Sequence, residues 1–206
     1  MINTKNIAEA VRPGLKTNVV LAAFVTTHAR LKLYECLEKT DKRAIYWDTD
    51  SIVASFKPND ERLPLGDHLG DLTDELEVYG KNSFIKSFVG AGPKNYAMEI
   101  CIGGDPTKTT TVCKVRGFTL NYRASKVVNF ETVRRAVLQD LGPIPVHIPN
   151  KIVRKTNWRI VSRSEFEKYR VVYTKRRRLD NCCMTLSLSV QKMLFSQSPR
   201  CIFCSL

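Results

Sequence analysis

Apolar residues along this chain recur with two periods, and each change of period marks an element. From Asn18 to about Lys39 the spacing is helical. Val20, Phe24, Thr27, Leu31 and Tyr34 line one side, Leu33 and Leu37 extend the apolar surface round another, and Arg30, Lys32, Glu35 and Glu38 interrupt it. Asn18 suits the N-cap, because its short side chain accepts from backbone N–H groups that lack a helical partner. Two apolar runs, Ala44-Ile45-Tyr46-Trp47 and Ile52-Val53-Ala54, then flank Asp48-Thr49-Asp50-Ser51, the pattern of a tight β-hairpin with acids at its tip. A loop rich in Pro, Asp and Gly spans 57–70, and 69–76 reads as one or two helical turns. Strands are predicted over 83–89, 94–101 and 110–115, parted by Gly90-Ala91-Gly92-Pro93 and Ile102-Gly103-Gly104-Asp105-Pro106. A second helix is predicted over 124–139, with Val127, Val128, Phe130, Val133, Val137 and Leu138 at helical spacing and Leu141-Gly142-Pro143 as its stop. Short strands follow over 144–148, 151–154, 158–161 and 169–173. Hairpins and helices in this order predict an α+β fold: a small antiparallel sheet carrying the acidic hairpin and backed by helix 18–39, then a second sheet-and-helix unit from about residue 118.

Composition narrows the class of partner. The 206 residues carry 33 basic against 20 acidic side chains, a net charge of +13, which points to a polyanion, with nucleic acid first. The lean is strongest in 151–180, where 11 basic residues face three acidic ones and are interleaved with Trp158, Phe166, Tyr169 and Tyr173. Basic side chains track phosphates and aromatic rings stack on bases. Lys175-Arg176-Arg177-Arg178 also fits a nuclear-import signal or a solvated end. The longest apolar run, Val19 to Val25, is too short to span a bilayer, so no membrane is expected. The seven cysteines are oddly spaced, and adjacent Cys182-Cys183 makes a poor second pair for Cys201-x-x-Cys204, since zinc takes about four ligands. Free thiols in a reducing compartment, nucleus or cytoplasm, are expected.

The candidate chemistry sits at the hairpin. If Asp48 and Asp50 both stay extended, they project to one side and repel unless a cation lies between them. Mg²⁺ suits such a pair, since it takes one or two carboxylates and completes its shell with water and phosphate oxygens; an ordinary polar turn has the same composition. Lys94 and Tyr96 share a face if strand 94–101 begins at Lys94, offering a point charge and a phenol to a nucleic-acid backbone. Lys114 and Arg116 share another, either as backbone contacts or as charges that keep an edge strand soluble.

Tyr46-x-Asp48-Thr49-Asp50-Ser51 resembles the third palm motif of family B DNA polymerases, and Lys94-x-Tyr96 resembles that family's Lys-x-Tyr motif. Thr17-Asn18-Val19-Val20 through Ala29-Arg30-Leu31-Lys32-Leu33-Tyr34, and Leu69-Gly70-Asp71-Leu72-Thr73-Asp74-Glu75-Leu76, look like the protein-primed branch carried by viruses and Maverick-Polinton transposons. The resemblance covers roughly 16–179. It implies a partial palm over 16–117, a basic thumb-like region over 118–179, an N-terminal remnant over 1–15 and a non-homologous, disordered tail over 180–206. It further implies template-directed nucleotidyl transfer with Mg²⁺ or Mn²⁺. Asp50 would bridge the metals and Asp48 support them, while Lys94, Tyr96, Tyr46, Thr49, Lys114 and Arg116 would contact DNA. Primer-template DNA, deoxynucleoside triphosphates and a terminal protein primer are the implied partners. The family also uses another palm aspartate and a fingers motif with Lys and Tyr, neither of which lies before Lys16. The isolated chain is therefore expected to be inactive, and a non-catalytic DNA-binding remnant is the alternative expectation.

Overall fold

The computed structural model describes residues 17–173 with their side chains, and the backbone alone of 176–178, 185–187 and 200–205. The expectations for 1–15, and most of those for 180–206, fall outside the described residues. Helix α1 (Val19–Thr40) begins as predicted, with the Asn18 side chain accepting from the Leu21 N–H at 3.0 Å. It ends where the Thr40 hydroxyl folds back onto the Cys36 carbonyl and Asp41 takes a positive φ of 44°. Only Leu33, Cys36 and Thr40 are buried, all in its C-terminal half. The stripe of Val20, Phe24, Leu31 and Tyr34 stays exposed, so only the end of the helix backs the sheet.

The acidic hairpin is β1 (Ala44–Asp48) and β2 (Ser51–Phe56), closed by Thr49-Asp50. Where helical turns are expected over 69–76, β3 (Thr73–Asp74) forms instead, followed by a turn in which the Asp74 carboxylate accepts from the Leu76 N–H; a 3₁₀ turn at Glu77–Tyr79 comes after it. A meander follows: β4 (Phe84–Gly92), β5 (Asn95–Ile102) and β6 (Asp105–Lys114). The predicted helix over 124–139 divides into α2 (Tyr122–Val127) and α3 (Phe130–Leu138). The break is a capping event: Asn129 leaves the helical region and its side chain accepts from the Thr132 N–H at 3.0 Å. The first three expected short strands fall in one two-stranded ribbon, β7 (Ile144–Arg154) with β8 (Ile160–Tyr169), whose register shifts between Ile148 and Lys151. That bulge absorbs the break in alternation which suggests separate strands, while 170–173, expected to be extended, is irregular. β9 (Arg176–Arg178) pairs with β10 (Thr185–Ser187).

The main sheet has seven strands in the order β1-β2-β11-β4-β5-β6, with β3 on the β11 edge and β11 spanning Arg200–Ser205. Every pairing is antiparallel. Within the tail region, residues 200–205 pair as an inner strand of this sheet. On one face, Ile52, Ala54 and Phe56 pack on Leu33 and Cys36 of α1 and on Leu63 and Leu72. A second cluster joins Ala91 and Ala97 to α2, α3, Val146 and Tyr169, so the region after 118 shares a core with the meander. A third gathers Val53, Leu76, Ile85, Tyr96, Met98 and Ile100, with Tyr46, Phe88 and Val112 at its margin. The fold is α+β, with small antiparallel sheets and a long helix. Among the described residues no helix is long and apolar enough to cross a membrane. Cys36, Cys101 and Cys113 are free thiols.

Candidate metal and nucleic-acid site at the hairpin tip

The hairpin tip differs from the extended pair of acids that the spacing suggests. Asp48 is the last residue of β1, and Asp50 lies in the turn with its N–H donating to the Asp48 carbonyl. Thr49, between them, takes a φ of 46°. A β-branched residue at positive φ is a conformational outlier, and such strain gathers at sites where the surroundings over-determine the backbone. The Thr49 hydroxyl donates to Asp48 Oδ1 at 3.2 Å and the Ser51 hydroxyl to the Asp48 carbonyl at 3.2 Å. Asp50 itself is exposed.

The turn between β4 and β5 closes over this tip across the sheet, although β2 and β11 stand between β1 and β4. Pro93 and Lys94 form that turn, and Lys94 sits at a φ of 56°, ahead of β5 rather than within it. Proline pre-sets the first turn position, and the second accepts positive φ, so the Lys94 backbone is locked by its neighbour. Its N–H donates to the Tyr46 hydroxyl at 3.1 Å, and its Nζ lies 2.6 Å from Asp48 Oδ2. The hydrogen bond and charge of Asp48 hold the Lys94 ammonium above its ordinary pKa, with smaller contributions from Tyr46 and Asp50. The cation that two neighbouring acids require is thus a lysine from the chain itself. The pair is open to solvent, at 67% and 32% side-chain exposure, so it contributes little to stability.

Beneath Lys94 lies an aromatic plate. Tyr46 and Tyr96 are 5.0 Å apart between ring centroids, Phe88 and Tyr96 5.5 Å, and Tyr46 and Phe88 5.7 Å. Tyr96, expected at the surface, is only 8% exposed. It acts as a support for the turn rather than as an open contact. Burial, reinforced by Tyr46, Glu75 and Asp48, pushes its phenol up to about 12. Lys114 is exposed at the end of β6, and Arg116 lies exposed beyond it. Lys114, Glu75, Tyr79 and Met98 line a cleft of about 280 Å³ beside Tyr96. Sequence reasoning missed Phe88 and Glu75. Phe88 could have been found from its alternation with Gly90 across from Tyr96, whereas Glu75 follows an irregular loop and carries no such signal.

The β7–β8 ribbon holds the other basic surface. Arg154, Lys155, Arg159, Arg163, Lys168 and Arg170 are exposed, and the Arg154 guanidinium stacks over the Trp158 ring at 4.2 Å. Lys151 is committed elsewhere, 2.7 Å from Glu165 and 2.6 Å from Glu167.

Two buried phenols set an alkaline limit to the fold. Tyr169 is also pushed up to about 12 by burial. Both phenols titrate near 10 when unfolded, so the folded state holds their protons longer. Their contribution is intact below about pH 10 and is lost as pH rises towards about 12, by up to ~1.4 kcal/mol per pH unit for each phenol. Urea midpoints measured across this window should fall. Tyr96→Phe should make the fall shallower, and an unchanged slope would refute the assignment.

The donors present do not fit a two-metal centre. Mg²⁺ is held by one or two carboxylates, but Asp48 is already neutralised by Lys94, and among the described residues no three His, Cys, Asp or Glu side chains converge on one point. No family model, curated protein or solved structure matches the chain.

Proposed function

We propose that this chain is the palm-and-thumb part of a template-directed DNA polymerase of family B, protein-primed branch, and that it extends no primer by itself. The observation that carries the reading is the meeting of its two quoted motifs. Asp48 and Lys94 lie 46 residues apart in sequence and close to 2.6 Å, and Tyr46 of the first motif holds the backbone of the second. Chance matches to two short patterns have no reason to share one site. In this reading the hairpin presents Asp50 outward and keeps Asp48 in reserve under Lys94. Tyr96 and Phe88 fix the lysine turn, and the ribbon's cations hold the DNA backbone. Nucleotidyl transfer needs in-line geometry that the family obtains from a metal pair, and two carboxylates of one hairpin supply too few ligands for it. In this reading the chain works in the nucleus or cytoplasm.

Primer extension by the purified chain with Mg²⁺ or Mn²⁺ tests the proposal. No extension above background is expected, and metal-dependent extension lost in Asp50→Ala would overturn the inactivity. The second reading, a DNA-binding remnant, rests on the exposed basic ribbon. It predicts salt-sensitive DNA binding indifferent to Asp48 and Asp50, with no gain when the family's other palm and fingers motifs are added in trans. Restored extension on that addition would favour the polymerase.

A further inference from the structure

Resting on the reading of the β7–β8 ribbon as a DNA surface, we propose that its outward face is a track for single-stranded nucleic acid, with two stacking platforms: Phe166 on His147 and Trp158 under Arg154. The ribbon divides its charges between two faces. Along β8, Arg163, Glu165, Glu167 and Tyr169 lie on one side, and Ile160, Ser162, Ser164, Phe166 and Lys168 on the other. On the first side Tyr169 and Val146 join the core. Lys151, opposite Arg163, pairs there with Glu165 and Glu167, and Arg163 with Glu165. The acids of the ribbon are thus spent on that side. The outward side adds Arg154 opposite Ile160, His147 opposite Phe166 and Pro145 opposite Lys168, and none of its positions is acidic.

Of the four aromatic residues in this region, the fold removes two. Tyr169 is buried, and the Tyr173 hydroxyl donates to the Gly90 carbonyl. Phe166 and Trp158 stay open, at 71% and 78% exposure. Each lies against a flat polar group. The His147 ring stacks on Phe166 at 4.7 Å between centroids and is tied to the Ser164 hydroxyl at 2.7 Å. The Arg154 guanidinium lies 4.2 Å from the Trp158 ring centre. Trp158 takes a φ of 62°, a costly conformation for a bulky residue, in a loop closed by the Lys155 N–H donating to the Arg159 carbonyl at 2.8 Å. Phe166 and Ile160, the residue opposite Arg154, are six positions apart on β8, a span of about 20 Å. Each platform has its own cation, Lys168 near one end and Arg154 at the other. A base continues such a stack while the cation meets its phosphate. In a duplex the base faces are already stacked on each other, so these rings gain nothing from it. A membrane surface also attracts cations and exposed rings, but here it would have to desolvate His147, Ser162 and Ser164, which lie between them.

The test titrates the full chain with oligothymidine of about 16 nucleotides, the upper end of single-strand site sizes, with a hairpin duplex, and with phosphatidylserine vesicles. Trp158→Leu and Phe166→Leu keep apolar bulk and lose the ring, and both side chains are exposed, so the fold is not at stake. Each should weaken oligothymidine binding about tenfold, the effect of losing one stacked base, and leave duplex affinity within about twofold. Trp158→Phe, which keeps a ring, should retain most of the oligothymidine affinity. Unchanged oligothymidine affinity in both leucine variants, with salt-sensitive DNA binding intact, would overturn the track and leave the ribbon as a phosphate surface. Equal losses on oligothymidine and duplex would overturn it as well. A chain that binds neither DNA would overturn the ribbon's DNA reading together with the track, and vesicle binding in that case, kept by the leucine variants, would assign the face to a membrane.

Discussion

Duplex DNA is expected to lose about a thousandfold in affinity for this chain between roughly 50 and 200 mM salt, the loss associated with about six phosphate contacts. Six exposed cations on and after the ribbon can make them: Arg154, Lys155, Arg159, Arg163, Lys168 and Arg170. Arg163 lies 3.2 Å from Glu165, but such an exposed pair gives way to a phosphate at little cost. Lys151 is left out of the set, because the carboxylates of Glu165 and then Glu167 accept from its ammonium and raise its pKa. Replacing Arg154 and Arg159 together by Ala should make the log–log salt slope shallower by about two, near 0.9 for each phosphate released. Arg154→Ala also strips the cation from the Trp158 face, so single-stranded DNA, which stacks on aromatic rings, should respond differently from duplex. Asp48→Ala and Asp50→Ala should leave the slope unchanged. A flat salt profile, or a slope indifferent to both arginines, would remove the ribbon from the interface.

Gly92→Ala is expected to cost about 3 kcal/mol or more, among the larger effects of a single substitution. Gly92 has a φ of 126°, and a Cβ there would meet the Val172 carbonyl oxygen at 2.1 Å and its carbon at 3.1 Å. Both atoms are backbone, so no rotamer change relieves the clash. The Val172 N–H donates to the Ala91 carbonyl at 3.1 Å, the Asn95 amide to the Arg170 carbonyl at 3.1 Å and the Tyr173 hydroxyl to the Gly90 carbonyl at 2.8 Å. Making room for a methyl group therefore means peeling 170–173 off the end of β4, beside the turn that carries Lys94. Gly103→Ala is the control: its φ is 61° but no atom lies within 4 Å. Only conformational strain applies there, so about 1 kcal/mol is expected. Urea unfolding of both variants measures the difference. Equal losses would show that the docking of 170–173 does not constrain Gly92.

The DNA-binding prediction and the proposed polymerase reading stand on different parts of the molecule. The ribbon's charge is a surface property that survives loss of chemistry. The hairpin tip is a geometric property that depends on Asp48, Lys94 and the plate below them. Asp48→Asn should release the Lys94 side chain while leaving the Lys94 N–H on the Tyr46 hydroxyl, so the two tethers of that turn are separable.

Alternation and helical spacing report which side of a segment is buried, and burial is decided largely by near neighbours. That is why α1, the β1–β2 hairpin and the β4–β5–β6 meander were legible in the order of the residues. The same logic placed the acids at a turn and the cations after residue 150. The split at Asn129 was written in the chain too, as a cap residue inside an apolar repeat that spacing alone ran across. Tertiary structure alone decided the rest. It set the lysine of one turn on the acid of another, buried a tyrosine that alternation left at the surface, left most of α1 uncovered and drew the final strand into the sheet. These outcomes depend on which distant segments meet, and a periodic pattern fixes the face a side chain takes without fixing the partner that face will find.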